Sequence, residues 1–227
     1  MFSNPGTPWL RKIVFCLASG PSLNLVSAKE WGEIRKLQRE NLAIVFGVNS
    51  SFKKPKEFGF ECDALFFTDE SWFENNEKEV REFNGRKFTV SRRAKVYYPE
   101  LERIDNIHRP DFCVGEPPMK DGRSSGHRAV SISIMLGSNR IGLLGYDMRI
   151  VKMEDGKLRS HHHDEYHNTE NERTYKEEFA TGFRGWREEA EKLGVEIINL
   201  TPDSAVEDFK KMSLSEYLEK IIPELVS

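Results

Sequence analysis

The hydrophobic residues of this chain fall into short, nearly continuous runs that more polar stretches separate. Five runs show this pattern, at or within residues 13–17, 41–52, 64–67, 140–144 and 195–200. The first run, IVFCL, is apolar at every position. Because a strand covered on both faces has no polar face, such runs are typical of a parallel sheet. The sequence therefore predicts five buried strands.

The stretches between these runs favour helices. AKEWGEIRKLQ at 28–38 and SSGHRAVSISIMLG at 124–137 each predict a helix, and YKEEFATGFRGWREEAEKLG at 175–194 predicts a long amphipathic one. RKFTVSRRAKVYYP at 86–99 predicts two further short strands. This alternation predicts an α/β fold, a Rossmann-like, doubly wound, mostly parallel sheet flanked by helices. We expect a single domain over residues 1–227, with residues 150–180 as a lid-like or loop insertion.

Small or hydrogen-bonding residues follow each predicted strand. Ligands of open α/β sheets bind in the crevice beyond the carboxyl ends of the strands. Local turn chemistry explains one or two polar strand ends, because Gly, Asn, Asp and Ser favour turns. Five such ends at one edge predict a ligand crevice. The stretches concerned are SGPS at 19–22, GVNS at 47–50, Thr68 with Asp69, GYD at 145–147 and NLT at 199–201.

The turn after the first strand has the composition of an anion site. Gly20 has no side chain, so a ligand can approach its backbone, and Pro21 fixes φ near that of a first helical turn. Ser22 then lies at a helix N-terminus, where free N–H groups and the helix dipole favour an anion. An ordinary strand-to-helix turn is the alternative.

The composition of the chain limits the classes of binding partner that we expect. The chain has 34 basic and 37 acidic residues, so no field of one sign marks a nucleic-acid or membrane surface. No apolar run is long enough to span a bilayer, and the start MFSNPGTPWLRK lacks a signal-peptide core. Cys16, Cys62 and Cys113 have no paired spacing, which predicts free thiols and a cytoplasmic protein. The oligomeric state stays open, a homo-oligomer included.

Titratable residues concentrate in RSHHHDEYHNTENER, residues 159–173. His161 and His163 share a side of an extended segment, whereas His163 and His167 share a face of a helix. With Asp164, either spacing can hold a divalent metal such as Mg or Zn. A histidine is also suited to general-base catalysis, because its ordinary pKa lies near neutral pH. A metal site, a catalytic base and a plain polar loop are the three alternatives.

Two common phosphate-binding fingerprints are absent from the chain. It contains neither G-x-x-x-x-G-K-[ST] nor G-x-G-x-x-G, which argues against P-loop kinases and classical NAD enzymes. His127 either faces a ligand or simply begins a helix. Trp72 and Phe73 either stack on a base or pack in the core.

Four motifs carry a family resemblance: SGPSL, GVNSSF, LFFTD and SSGHRAVSISIMLGSNRIGLLGYDM. From residue 13 to about residue 209, the chain resembles bacteriophage and archaeal Rossmann-like proteins. These are related to the small bacterial CMP-sialic acid sialyltransferases and to the archaeal 6-hydroxymethylpterin diphosphokinase-like family. The resemblance implies a nucleotide donor and a histidine base from the 159–173 segment. The donor contacts that it implies are Ser19, Gly20, Pro21, Ser22, Asn49, Thr68, Ser125 and Gly126.

The chain departs from the sialyltransferases at two positions. Ser19 stands where they carry Asn, and Arg149 follows the strand-end Asp147 where they place a tyrosine. Arg149 can replace that tyrosine electrostatically, because a guanidinium binds phosphate in a bidentate way. Pairing of Arg149 with Glu154 or Asp155 is the alternative.

The expected function is therefore that of a sialyltransferase-like glycosyltransferase, with a nucleoside monophosphate or diphosphate sugar as donor. One alternative is a metal- and ATP-dependent diphosphokinase of the pterin type, with Asp69, Asp147 and Asp164 as metal ligands. A second alternative is a non-catalytic, phage-encoded nucleotide-binding or assembly protein, since fold does not fix function.

Overall fold

The computed structural model describes residues 7–104, 112, 114, 122–152, 156–163 and 172–226. Over these residues it contains ten strands, seven α-helices, three 3-10 segments (Pro21–Leu25, Asn49–Phe58 and Thr181–Phe183) and one π-helical turn. The strands are β1 (Ile13–Leu17), β2 (Ala43–Val48), β3 (Ala64–Phe67), β4 (Arg86–Thr89), β5 (Glu102–Arg103), β6 (Arg140–Leu144), β7 (Val151–Lys152), β8 (Leu158–Arg159), β9 (Glu196–Asn199) and β10 (Lys210–Lys211). The helices are α1 (Ala28–Arg39), α2 (Glu70–Asn75), α3 (Glu77–Glu82), α4 (Arg92–Tyr97), α5 (Ser125–Met135), α6 (Trp186–Lys192) and α7 (Leu214–Val226).

Eight of the strands form one parallel sheet in the order β10-β9-β6-β1-β2-β3-β4-β5. β1 is buried at all five positions and pairs with β2 on one side and β6 on the other, with Ile13 opposite both Ala43 and Arg140. The five predicted strands are confirmed, and β1, β3 and β6 have the predicted bounds.

Helices cover both faces of the sheet, as a doubly wound fold requires. Side chains that alternate along β1 enter different apolar clusters, because successive strand residues point to opposite faces. Ile13 packs with residues of α1 and α7, whereas Val14 packs with residues of α5 and α6. Among the described residues, no helix has the length and apolar character needed to cross a membrane.

The strand order places a switch point between β1 and β6. From β1 the chain moves outward through β2, β3, β4 and β5, and it then returns to build β6, β9 and β10 on the other side. The loops after β1 and β6 therefore lead away in opposite directions and leave a crevice at the carboxyl edge.

Two predicted elements are wrong. The long helix is interrupted, because a π-helical turn (Thr174–Ala180) and a 3-10 turn (Thr181–Phe183) precede Gly185, whose φ of 77° cannot continue a right-handed helix. The second strand of residues 86–99 is α4 instead. The Ser91 hydroxyl caps this helix by accepting a hydrogen bond from the Ala94 N–H at 3.0 Å.

The described part of residues 150–180 adds nothing to the main sheet. It contains the separate antiparallel hairpin of β7 and β8, residues 160–163 and the π-helical turn. Cys16 and Cys62 are buried and free, and Cys113 lies outside the described residues.

Two glycines that the fold treats differently give a stability test. A β-carbon on Gly47 would lie 2.5 Å from the Phe52 Cα, whereas one on Gly32, exposed on α1, would meet nothing within 4 Å. We expect Gly47→Ala to lower the free energy of unfolding by about 1–3 kcal/mol through overpacking. Gly32→Ala should raise it by about 0.5–1 kcal/mol through helix propensity. Urea denaturation measures both, and equal effects of the two substitutions would contradict this account.

Candidate functional site

A solvent-open cleft of about 280 Å³ lies at the carboxyl edge of the sheet. Residues that follow β1, β2, β3 and β6 form its floor, and the start of α5, residues 160–161 and the π-helical turn form its walls. The predicted crevice is therefore present at the switch point, but the predicted strand end at residues 199–201 does not line it. The predicted site residues that line it are Ser19, Gly20, Asn49, Thr68, Asp69, Ser125, Gly126 and His161.

Other predicted site residues lie elsewhere. Pro21, Ser22, Asp147, Arg149 and His163 do not line the cleft, and Asp164 and His167 lie outside the described residues.

The Asp147 carboxylate is bonded to the turn after β1, residues 19–22, which we call the β1 turn. It accepts hydrogen bonds from the Ser22 hydroxyl at 2.6 Å and from the Ser22 N–H at 3.3 Å. Burial raises the pKa of Asp147, while the Ser22 hydrogen bonds and the Arg149 charge oppose that rise. Ser22 and Asp147 thus bind each other across the switch point.

The N–H groups of the β1 turn already donate hydrogen bonds within the protein. The Gly20 N–H donates to the Gly145 carbonyl at 2.9 Å, Pro21 has no N–H, and the Ser22 N–H donates to Asp147. Gly20 has a φ of −66°, and a β-carbon there would overlap the Asp147 carboxylate and the Gly145 carbonyl. Glycine is therefore required here by the protein's own packing. Positions 20–22 offer no amide proton to an anion.

The Ser19 carbonyl holds the histidine segment, which we define as residues 160–163. The His162 N–H donates to this carbonyl at 2.7 Å, and its ring Nδ1 lies 3.1 Å from the same oxygen. The Asn24 side chain donates to the His162 carbonyl at 3.0 Å. Burial lowers the pKa of His162 to about 4, and the nearby Lys54 charge adds to this effect. His162 is accordingly neutral at pH 7.

The neighbouring histidines occupy different surroundings. His161 lines the cleft, and its Nδ1 lies 2.9 Å from the Ser160 hydroxyl. The His163 ring packs edge-on against the His162 ring, with 4.7 Å between centroids. Of the described histidines in this segment, His161 is the one that lines the cleft.

Asn49 has the features of a ligand-binding residue. It directly follows β2 and lies in the left-handed region, with φ of 49°, and its buried Oδ1 accepts no hydrogen bond from the described residues. Met148, which also lines the cleft, has φ of 48°. Non-glycine residues in this region carry strain that is typical of functional sites, and buried polar atoms normally have partners. A ligand N–H or O–H in the cleft would satisfy the Asn49 oxygen.

The start of α5 forms one end of the cleft. Ser124 caps the helix, and the Ser125 hydroxyl lies 2.9 Å from the Thr68 hydroxyl, which ties the helix to the end of β3. The first N–H groups of a helix have no intrahelical acceptor, and the dipole there favours negative charge. Arg123 and Arg128 line the same end. Sequence reasoning missed both, although they flank the SSG motif in RSSGHR.

His127 belongs to the packing rather than to the cleft. Its ring is buried and stacks on Phe183, with 3.8 Å between centroids and 14° between planes. A β-carbon at Gly182 would lie 2.5 Å from the His127 Nε2, so the packing of this ring favours glycine at position 182. Of the two alternatives, the helix role is confirmed.

Trp72 and Phe73 pack in the core, as their core interpretation predicts. The Trp72 indole N–H donates to the Ser50 hydroxyl at 2.8 Å, and Phe73 stacks on Phe67 with 5.0 Å between centroids.

Two of the three carboxylates that a metal-dependent diphosphokinase would use are engaged locally, and the third, Asp164, lies outside the described residues. Asp69 caps α2 by accepting from the Trp72 N–H at 2.9 Å, a bond that lowers the pKa of Asp69. Asp147 accepts from Ser22. Within the described ranges, no three His, Cys, Asp or Glu side chains are grouped to hold a metal ion.

Comparisons with known proteins identify a shared fold. No family model matches this chain, and no curated protein sequence matches it. The structure of MAf glycosyltransferase from Magnetospirillum magneticum AMB-1 is similar, with a TM-score of 0.59 and 13% sequence identity. The similarity covers 96% of this chain, which spans 37% of that one. At this identity the likeness establishes the fold.

His162 gives a pH test of the site. Its pKa of about 4 lies below the ordinary 6.5, so the unfolded chain takes up a proton first as the pH falls. The stabilisation is complete above pH 6.5 and is lost as the pH falls toward 4. We expect this loss to be roughly 1–3 kcal/mol, discounted for partial exposure.

His162→Asn should remove that part of the pH dependence, because asparagine does not titrate. Urea denaturation between pH 4 and 7 measures the difference between the parent and the variant. A difference that stays constant over this range would contradict the buried, neutral state of His162.

Proposed function

We propose that this protein is a glycosyltransferase that takes a nucleotide-activated sugar as its donor. The observation that carries the proposal is the cleft at the switch point between β1 and β6, with Arg123, Arg128 and the start of α5 at one end. An anionic donor suits such a cleft by charge and by helix dipole. The shared fold with a glycosyltransferase adds support.

In this proposal the donor phosphate binds at the first turn of α5. The amides of Ser125 and Gly126 point out of a helix N-terminus, and the two arginines supply opposite charge. The β1 turn is less suited, because its amides at positions 20–22 lack free protons. Asn49 then accepts a hydrogen bond from the nucleoside part of the donor.

The donor that we propose is a nucleoside monophosphate sugar of the sialic acid type. Such a donor has two anionic groups, a phosphodiester and a carboxylate, and two guanidinium groups line the cleft. Arg128 and Arg123 lie on the two sides of the SSG motif, so they can meet these groups separately. We propose the cytoplasm as the place of action, which suits the buried free thiols of Cys16 and Cys62.

The proposed reaction is a displacement at the anomeric carbon of the sugar. His161 accepts the proton of the acceptor hydroxyl, and the acceptor oxygen forms the new bond to the anomeric carbon. The bond between that carbon and the phosphate oxygen breaks, and the phosphate leaves with the electron pair. The positive end of α5 and the arginines stabilise the charge on the leaving phosphate.

Arginine variants test the proposed phosphate site. Arg123→Ala and Arg128→Ala should each weaken CMP binding by about tenfold or more, because each removes a charge-assisted contact. Isothermal titration calorimetry measures the dissociation constant. Arg39→Ala is the matched control, since Arg39 is exposed at the C-terminal end of α1, away from the cleft.

The outcomes separate the candidate functions. Transfer or hydrolysis of CMP-sialic acid by the parent protein, lost in the arginine variants, would support the proposal. Unchanged CMP binding in both variants would remove the phosphate site from α5. Turnover only with ATP and Mg²⁺ would favour the diphosphokinase, and nucleotide binding without any turnover would favour a binding protein.

A further inference from the structure

The histidine segment forms part of one wall of the cleft and is neither a helix nor a strand. It follows the two-residue strand β8, and it lies outside the main sheet. The hydrogen bonds given above for His162 attach it to the β1 turn and to Asn24. These bonds tie the middle of the segment to the β1 turn.

The chemistry of the His162 ring fits an anchor and not a proton acceptor. The Ser19 carbonyl can only accept, so the ring Nδ1 must carry the proton and donate it. Burial and the Lys54 charge keep the ring neutral, which preserves one tautomer over the pH range in which enzymes work. The adjacent His161 lines the cleft instead. His161 directly precedes His162, so fixing the backbone and the ring of His162 also fixes the backbone that carries the His161 side chain.

We propose that His162 is a positioning residue, which holds the histidine segment on the Ser19 carbonyl so that His161 faces the bound donor and acceptor. This inference rests on the proposed function, since it assigns His161 a substrate. The β1 turn thereby acquires a second role. Its Ser22 side is bonded to Asp147, and its Ser19 carbonyl anchors the wall of the cleft that bears His161.

The test combines two variants that weaken the anchor with one that preserves it. His162→Ala removes the ring donor, and Asn24→Ala removes the exposed amide that donates to the His162 carbonyl. His162→Asn keeps an N–H donor near the position of Nδ1. Lys152→Ala, an exposed site on the β7–β8 hairpin, is the control. The measurements are hydrogen exchange of residues 160–163, calorimetric CMP binding, and kcat and KM with CMP-sialic acid.

We expect His162→Ala to speed exchange in residues 160–163 by about five- to tenfold, the factor expected for one lost hydrogen bond. kcat should fall by about tenfold, while KM for the donor and the CMP dissociation constant stay within about twofold. Asn24→Ala should change the same quantities in the same direction but less, and His162→Asn should recover most of the parent values. Lys152→Ala should match the parent.

Two results would overturn the proposal. One is unchanged exchange in both His162→Ala and Asn24→Ala. The other is a CMP dissociation constant that rises as much as kcat falls, which would make His162 part of the donor site. A parent protein that neither binds CMP nor transfers sialic acid would instead overturn the proposed function. Exchange would then still decide whether His162 holds the segment.

Discussion

The hydrogen bonds between the buried Asp147 carboxylate and Ser22 are the interaction on which the cleft depends. They join the loop after β6 to the turn after β1, across the point where the sheet changes direction. The Asp147 carbonyl also accepts from the Ala205 N–H at 2.9 Å, so the loop after β9 is tied to the same place. Three neighbouring strand ends are thus fixed relative to one another, and the floor of the cleft is fixed with them.

This bonding assigns different roles to two features that are often equated in nucleotide-binding folds. A glycine-containing turn after the first strand and a helix N-terminus are both typical anion sites. Here the N–H groups of the turn donate hydrogen bonds to Asp147 and Gly145. The start of α5, in contrast, faces the cleft beside two arginines. The turn therefore serves as a scaffold, and we propose the start of the helix as the place for negative charge.

The sequence predicts those features that depend on local pattern. Continuous apolar runs locate the strands, and the rule that ligands bind at carboxyl strand ends locates the cleft with Asn49 and Thr68 at its edge. Gly185 shows the limit of such patterns. The amphipathic period continues across it, but its left-handed conformation ends the helix.

Local sequence patterns do not predict contacts between residues that are far apart in the chain. Ser22 and Asp147 are 125 residues apart, and each alone has the character of a ligand-binding residue at a strand end. The same holds for Ser19 and His162, 143 residues apart. Polar side chains at one edge bind either a ligand or each other, and only their relative positions decide between the two. Sequence patterns do not single out Arg123, because one arginine before a helix has no distinctive pattern.

In our proposal the start of α5, and not the β1 turn, receives the donor phosphate. A crystal structure of the protein with CMP tests it most directly. We predict that the phosphate lies within hydrogen-bonding distance of the Ser125 or Gly126 amide and of an arginine from Arg123 and Arg128, with the bond between Asp147 and Ser22 intact. A phosphate bound to the amides of Gly20 and Ser22, with the Asp147 carboxylate displaced, would contradict the account.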